Sequence, residues 1–356
     1  MTDPSSAGSL VTIACDESAS AGENLIDSPF PVFVHASTDL PLREAEAFMT
    51  KLRAGLRSRA AELKSTAVLA PKHRDTLLRM LASAPDRGNI HLVDKSFYVS
   101  AKLIDLLLAA HADSFGDDIR FTGEARYLTT MLADRAPADV GATFWNMLLR
   151  KYNAFIRVYA RANQTPPTEQ PFFRALDTAR HRSTDPRVRG ILDQLWAARH
   201  FAIEYAGARK GEFREMDPMF STLTAVARTW QLRLGTRPVE FLVDSYAPLT
   251  DTRAAEVLAA VQDELHIGNR VLPAADLRVI RQTPSHLDAR VQVADILAGV
   301  GREASRLAFE GTYDDDLQIA ISEMFDLQGM WSDGSPLDVL FERRRPQYAR
   351  AALGGQ

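Results

Sequence analysis

The chain is short of several things, and each shortage removes a class of explanation. Among its 356 residues there is one cysteine, Cys15. That excludes an internal disulfide and a cysteine-rich zinc site, and it fits a reducing compartment. No uncharged apolar run is long enough to span a bilayer. The opening "MTDPSSAGSL" lacks the basic-then-apolar layout of a secretory signal. A cytoplasmic protein that does not enter membranes is therefore expected. The formal net charge is only −4, so no global basic field announces a nucleic-acid partner, and only a local patch could do so. GxSxG, Walker-type and HExxH motifs are absent, and the lone GxG in "AGVGRE" falls inside a helical pattern. What is there is ordinary for a globular protein: 46% hydrophobic and 25% charged residues, enough for a sizeable core at this length.

Apolar runs and periodicity organise the chain. Residues 1–9 read as a loose tail. "LVTIACDE" and "FPVFVHAST" read as strands. From Pro41 the apolar positions Leu42, Ala45, Met49, Leu52, Leu56, Ala60 and Leu63 recur at helical spacing, predicting a helix that runs into "AELKS". "NIHLVDK" is a third strand. Helical periodicity then dominates from Ser100 to about Leu234, broken at "NQTPPTEQP". "PVEFLVDS" and "LRVIRQ" are further strands, separated by a helix over "TDTRAAEVLAAVQDELH" with a Thr or Asp cap. "SHLDARVQVADILAGVGREASRLAFEG" is a long helix ending near Gly311. One or two short helices and the basic "ERRRPQYAR" follow. Alternation at both ends around a helical middle argues for an α/β sheet with packed helices. The divisions are a tail at 1–9, a first core part at 10–99, a helical insertion at 100–236, a second core part at 237–311 and a helical extension at 312–356.

Three apolar runs end in aspartate, at Asp16, Asp94 and Asp244. In open α/β sheets ligands gather at the carboxyl ends of strands. Acids crowded there raise one another's pKa unless a cation neutralises them, and oxygen-rich clusters suit Mg2+ or Mn2+. Aspartate is also a common turn residue after a strand, so one such residue alone carries little. Asp295 is more specific. It lies inside an apolar helix, where aspartate is unfavourable, with Gln292 and Gly299 on the same face. Gly299 would let another element approach the carboxylate closely. Adjacent Asp16 and Glu17 should face opposite sides of their strand, and Cys15 should point into the core, away from Asp16. His35 reads as a satisfied or solvated histidine.

"IACDES", "AELKS", "FLVDS" and "VQVADILAGV", in that order over about residues 10–310, resemble the bacterial domain-of-unknown-function family 3800. The resemblance implies a ribonuclease H-like mixed sheet with flanking helices, here carrying a large helical insertion. It implies a carboxylate cluster of Asp16, Glu62, Asp244 and Asp295, with Glu17, Ser18, Lys64 and Gln292 as companions. In that family glycine usually follows "DES", whereas this chain has Ala19. Asp94 enters from its strand tip. The usual placing of a strand after the first helix favours Asp94 over Asp244 as the neighbour of Asp16, and the sequence leaves both open.

The expected chemistry is phosphodiester hydrolysis dependent on Mg2+ or Mn2+. Asp16, Glu62, Asp295 and either Asp94 or Asp244 would hold metal, and Lys64 would stabilise leaving charge. The partner would be nucleic acid, DNA or RNA. Arg150, Lys151, Arg157 and Arg161, interleaved with Tyr152, Phe155 and Tyr159, would join Gln292 and Ser18 in binding it. At helical spacing, however, those aromatics fit a core better and the arginines a solvated face. The rival expectation is an inactive ribonuclease H-like scaffold in a defence or mobile-element complex, as a homo-oligomer or with other proteins.

Overall fold

The computed structural model describes residues 9–20, 22–58, 60, 62–83, 85–158, 168–208 and 214–341. The tail over 1–8, Tyr159, Arg161 and "ERRRPQYAR" lie outside them. In chain order come β1 (Val11–Ser18), β2 (Val32–Thr38), α1 (Leu42–Leu56), α2 (Ser65–Val68), α3 (Arg74–Leu81) and β3 (Gly88–Asp94). The helices α4 (Lys95–Leu103), α5 (Ala110–Asp113), α6 (Glu124–Ala136), α7 (Ala142–Ile156), α8 (Gln170–Arg182), α9 (Pro186–Ala197), α10 (Arg199–Ala208) and α11 (Met219–Leu234) follow. The chain then forms β4 (Val239–Val243), α12 (Asp251–Ala260), β5 (Leu265–Ile267), β6 (Arg270–Leu272), β7 (Leu277–Gln282), α13 (Ala289–Phe309) and α14 (Asp315–Ile321).

The fold is mixed α/β. Five strands make one sheet in the order β3-β2-β1-β4-β7. The β1–β2 and β2–β3 pairs are antiparallel, and the β1–β4 and β4–β7 pairs are parallel. β1 is therefore central, and its neighbour on the parallel side is β4.

Strand alternation sends odd residues of β1 and even residues of β2 to opposite faces. Ile13, Cys15, Phe33, Phe241 and Val243 pack with the helices of α4–α11 in one core. Val32, Val34, Ala36, Ile90 and Leu92 pack with α1, α13 and α14 in the other. The middle helices thus cover one face of the sheet directly, and α13 with α1 covers the other. Cys15 is fully buried on the helical-layer face, as the alternation requires. α13 reaches the sheet closely because Gly301 has no side chain. A Cβ there would stand 2.6 Å from Ile90 and 2.9 Å from Val34.

Three local expectations are corrected. α1 stops at Leu56, before "AELKS", because Arg57 turns left-handed at φ 53°, its N–H closing on the Ala54 carbonyl and the Ser58 N–H on that of Arg53. Glu62 and Lys64 therefore lie on the connection into α2. The helix expected through "AVQDELH" ends at Ala260, and Leu265–Ile267 instead pairs with Arg270–Leu272 as a hairpin. Its three-residue strands show half-exposed and exposed side chains, so no apolar alternation marks them. The segment after α14 does more than add helix: Phe325 and Met330 bridge in parallel to Ile90 and Val93, covering the free edge of β3. No helix among the described residues is long and apolar enough to cross a membrane.

A candidate carboxylate site at the sheet edge

The site is built where the two parallel central strands end. β1 and β4 run in register to Cys15 opposite Val243, and the next N–H, of Asp244, donates to the Cys15 carbonyl at 3.0 Å. Continuing that register by one residue sets Asp244 beside Asp16. Parity places both on the face covered by α13, which carries Asp295. Repulsion from Asp244 and Asp295 then reaches Asp16. Its carboxyl is pushed up to about 9, first by burial, then by Glu17, Asp244 and Asp295 in turn. Of the two candidate neighbours of Asp16, the fold selects Asp244.

Asp94 is excluded by register. Asp16 aligns with Ala36, and Ala36 with Ile90. Asp94 therefore lies two strands away, about 10 Å across the sheet, and four residues, about 13 Å, further along. Its carboxylate caps α4, accepting from Ser96 N at 2.8 Å and Phe97 N at 3.0 Å. The expectation that favoured Asp94, and its place among metal ligands, is corrected: β2 intervenes between β3 and β1.

The other expected residues converge through hydrogen bonds. Asp295 accepts from Ser65 N at 3.0 Å and Ser65 Oγ at 3.3 Å. That approach depends on Gly299, one turn along α13, where a Cβ would fall 2.2 Å from the Ser65 Cβ. Ser285 links two acids, donating its N–H to Asp244 Oδ1 at 2.9 Å and its hydroxyl to Glu62 Oε1 at 2.6 Å. Glu62 pairs with Lys64 and is held below its ordinary range by that contact and by Ser285. Lys64 is raised chiefly by Glu62, with contributions from Asp295 and Asp16. Asp16, Glu62, Lys64, Asp244 and Asp295 therefore share one electrostatic neighbourhood.

The companions divide. Ser18 ends β1 and accepts from Arg302 of α13 at 3.0 Å. Gln292 is buried and accepts from Arg53 at 2.8 Å, a link between α13 and α1. Arg150 pairs with Asp27 at 2.6 Å, Lys151 is half-buried on α7, and Arg157 follows the end of α7. Tyr152 and Phe155 are buried against Phe172 and cannot stack bases. The described aromatics of α7 are core residues, as the helical spacing favoured over a stacking surface for nucleic acid.

Glu17 takes the helical-layer face. Its carboxyl is pushed up to about 7 by burial, then by Asp244 and Asp217, and its Oε2 is buried with no hydrogen-bond partner among the described residues. Asp217 was not read from the sequence, where "MDP" resembles a turn. It is buried ahead of α11 and accepts from Tyr246 OH at 2.7 Å and Met219 N at 3.0 Å. His35, directly opposite Glu17 on β2, is fully buried, and neither ring nitrogen has a hydrogen-bond partner among the described residues. It is neither solvated nor satisfied, and burial pushes it down to about 3.

Ala19 occupies the position that follows "DES". Its φ of 61° is left-handed, the conformation glycine adopts without cost. The buried Lys95 holds this turn, donating to the Ala19 and Phe30 carbonyls and to Ser28 Oγ.

Among the described residues, no group of three or more His, Cys, Asp or Glu side chains is drawn together closely enough to hold a metal ion. Oδ1 of Asp16 accepts from Glu17 N, and Oδ1 of Asp244 accepts from Ser245 N and Ser285 N. The Oδ2 atoms of both accept no hydrogen bond among the described residues. Each of these neighbouring residues thus keeps one carboxyl oxygen without a hydrogen bond, and carboxyl oxygen is the donor type Mg2+ and Mn2+ take. Comparison with protein families, with curated proteins and with solved structures finds no match for this chain.

Proposed function

We propose that this protein is a nuclease dependent on Mg2+ or Mn2+, built on a ribonuclease H-like sheet. The observation that carries the reading is the meeting of Asp16, Asp244 and Asp295 at one sheet edge, from three elements far apart in sequence. The strand order, with β2 alone antiparallel and β1 central, supports the fold assignment, and so do the motifs resembling family 3800. Asp16 and Asp244 would hold the cation through their open oxygens, with Asp295 and Glu62 beside them. A bound cation would supply an activated water and neutralise phosphoryl charge. The chain's own part is to set the acids side by side, to keep Asp295 aimed through Ser65, and to present Lys64 toward a phosphate. Lys64 is 58% exposed at the side chain and so can meet a strand from solvent.

A specific observation favours a second reading, the inactive scaffold in a defence or mobile-element complex. The serine donors that hold Asp244 and Asp295 stabilise the site with no cation. One experiment separates the two. Labelled single- and double-stranded DNA and RNA are incubated with the protein and Mn2+ or Mg2+. Metal-dependent cleavage that drops by about 10²–10³-fold in Asp16→Asn and Asp244→Asn, the scale of losing one preorganised charge-stabilising group, supports the nuclease. Absence of cleavage on every substrate, with no saturable Mn2+ binding to the folded protein, supports the scaffold.

A further inference from the structure

A second cavity lies apart from the carboxylates. It has a volume of about 540 Å3 and opens between α4, α6 and the β5–β6 hairpin. That volume is in the range of small-molecule sites. Asp16, Glu17, Glu62, Asp244 and Asp295 do not line it.

Its walls are preformed. The hairpin turn docks on the loop before α6, where Gly268 N donates to the Phe121 carbonyl at 2.7 Å. Gly123 and Gly268 both have positive φ, at 84° and 57°, and a Cβ on Gly268 would stand 3.2 Å from the Thr122 carbonyl oxygen. Only a pair of glycines lets the two backbones meet so closely.

The lining mixes aromatic rings with an unmatched cation. Phe97, Phe121 and His266 contribute rings, and Phe121 and His266 lie tilted at 5.7 Å between centroids. Phe121 is 54% exposed, a large apolar side chain left in solvent at the mouth. Two of the three acids of the lining, Asp105 and Asp118, are engaged, and the third, Glu264, is exposed. Asp105 faces Arg120, Asp118 accepts from Arg120 N and Phe121 N, and Glu264 stands 3.8 Å from His266. Arg126, by contrast, makes no hydrogen bond or ion pair among the described residues. Partial burial and Arg270 of β6 both weigh against its charge, with Asp333 opposing them. Arg270 does not itself line the cavity but lies opposite Ile267, which does, on the hairpin, and its side chain makes no hydrogen bond or ion pair among the described residues. Two arginines that repel each other beside exposed rings are the converse of what an empty surface favours. An anion carrying an aromatic ring would satisfy both features at once.

We propose that this cavity binds a nucleoside phosphate, with the base against Phe121 and His266 and the phosphate on Arg126 and Arg270. The site is independent of the carboxylate edge and does not rest on nuclease activity. The test is titration calorimetry with adenosine monophosphate, adenosine and inorganic phosphate. Wild type should bind the monophosphate saturably and more tightly than either half. Arg126→Ala with Arg270→Ala should weaken it about tenfold or more, the scale of losing charge-assisted hydrogen bonds. Phe121→Ala should weaken the monophosphate and adenosine but not phosphate. Neither arginine side chain makes a hydrogen bond or ion pair among the described residues that its removal would break, so the variants should melt with the wild type. Asp16→Asn should bind the monophosphate unchanged. The proposal is overturned if wild type does not bind the monophosphate, if the arginine pair can be removed without loss, or if Asp16→Asn abolishes binding.

Discussion

On the α13 face of the sheet edge, Asp16, Asp244 and Asp295 each accept at least one hydrogen bond. One residue further along β1, on the helical-layer face, Glu17 keeps a buried oxygen with no partner among the described residues, and His35 opposite it keeps two such nitrogens. The two faces handle buried polarity differently. The first supplies donors from Ser65 and Ser285 and a cation from Lys64. The second supplies none to these atoms; burial raises Glu17 there as it raises Asp16 on the first face, and holds His35 neutral. Adjacent residues on a strand can therefore serve different environments, and a pair of neighbouring acids is not by itself a paired site.

The sharpest way to break this comparison is through activity. If the α13 face carries the chemistry, Asp16→Asn should cost about 10²–10³-fold in cleavage rate, while Glu17→Gln should leave most of it. Equal losses would merge the two faces into one site. Stability gives the next largest effect. Gly299→Ala must push Ser65 away from Asp295, and should lower unfolding stability by about 1–3 kcal/mol, the usual cost of overpacking. A melt unchanged from wild type would mean that the Ser65 contact is not what positions Asp295.

The pH dependence should then run in opposite directions. A carboxyl raised in the folded state, as Asp16 is to about 9, binds its proton more tightly folded than unfolded. Its contribution is fully present below pH ~4 and is lost as pH rises toward about 9. Asp16→Asn should therefore raise the melting temperature between pH 7 and 9 in metal-free buffer, by at least ~2 °C on the usual scale for chains of this size. His35 is lowered to about 3, so the unfolded chain takes up the proton first and stability falls as pH drops from ~6.5 toward 3. His35→Leu should flatten that acid limb. Parallel shifts of both variants at both ends of the pH range would erase the distinction between the faces. The smallest effect belongs to the turn at the tip of β1. Ala19→Gly relieves a left-handed alanine and should add up to about 1 kcal/mol to stability, read in the same melts.

Much of this was legible residue by residue. The apolar runs before Asp16, Asp94 and Asp244 marked three of the five sheet strands, because a strand buried on both faces needs unbroken hydrophobicity. Asp295 was legible because an acid inside an apolar helix breaks its pattern, and Gly299 because a missing side chain implies a close neighbour. The alternation that separates Asp16 from Glu17 and Cys15 follows from strand geometry alone. The β5–β6 hairpin, with mostly exposed three-residue strands, carried no such signal, and neither did Asp217 in its turn-like "MDP".

Strand endings, helix faces and the placing of acids on them are local properties, set by periods of 2 and 3.6 residues that the sequence states outright. The lateral order of strands is not local. That β4, more than 200 residues after β1, lies beside it and brings Asp244 to Asp16, while β3 is held off by β2 and leaves Asp94 as a helix cap, was decided by long-range packing. The same packing set Ser285 between Glu62 and Asp244, buried the α7 aromatics and left the side chains of Arg126 and Arg270 without partners among the described residues. Such pairings depend on which surfaces meet, and no window of sequence contains both members.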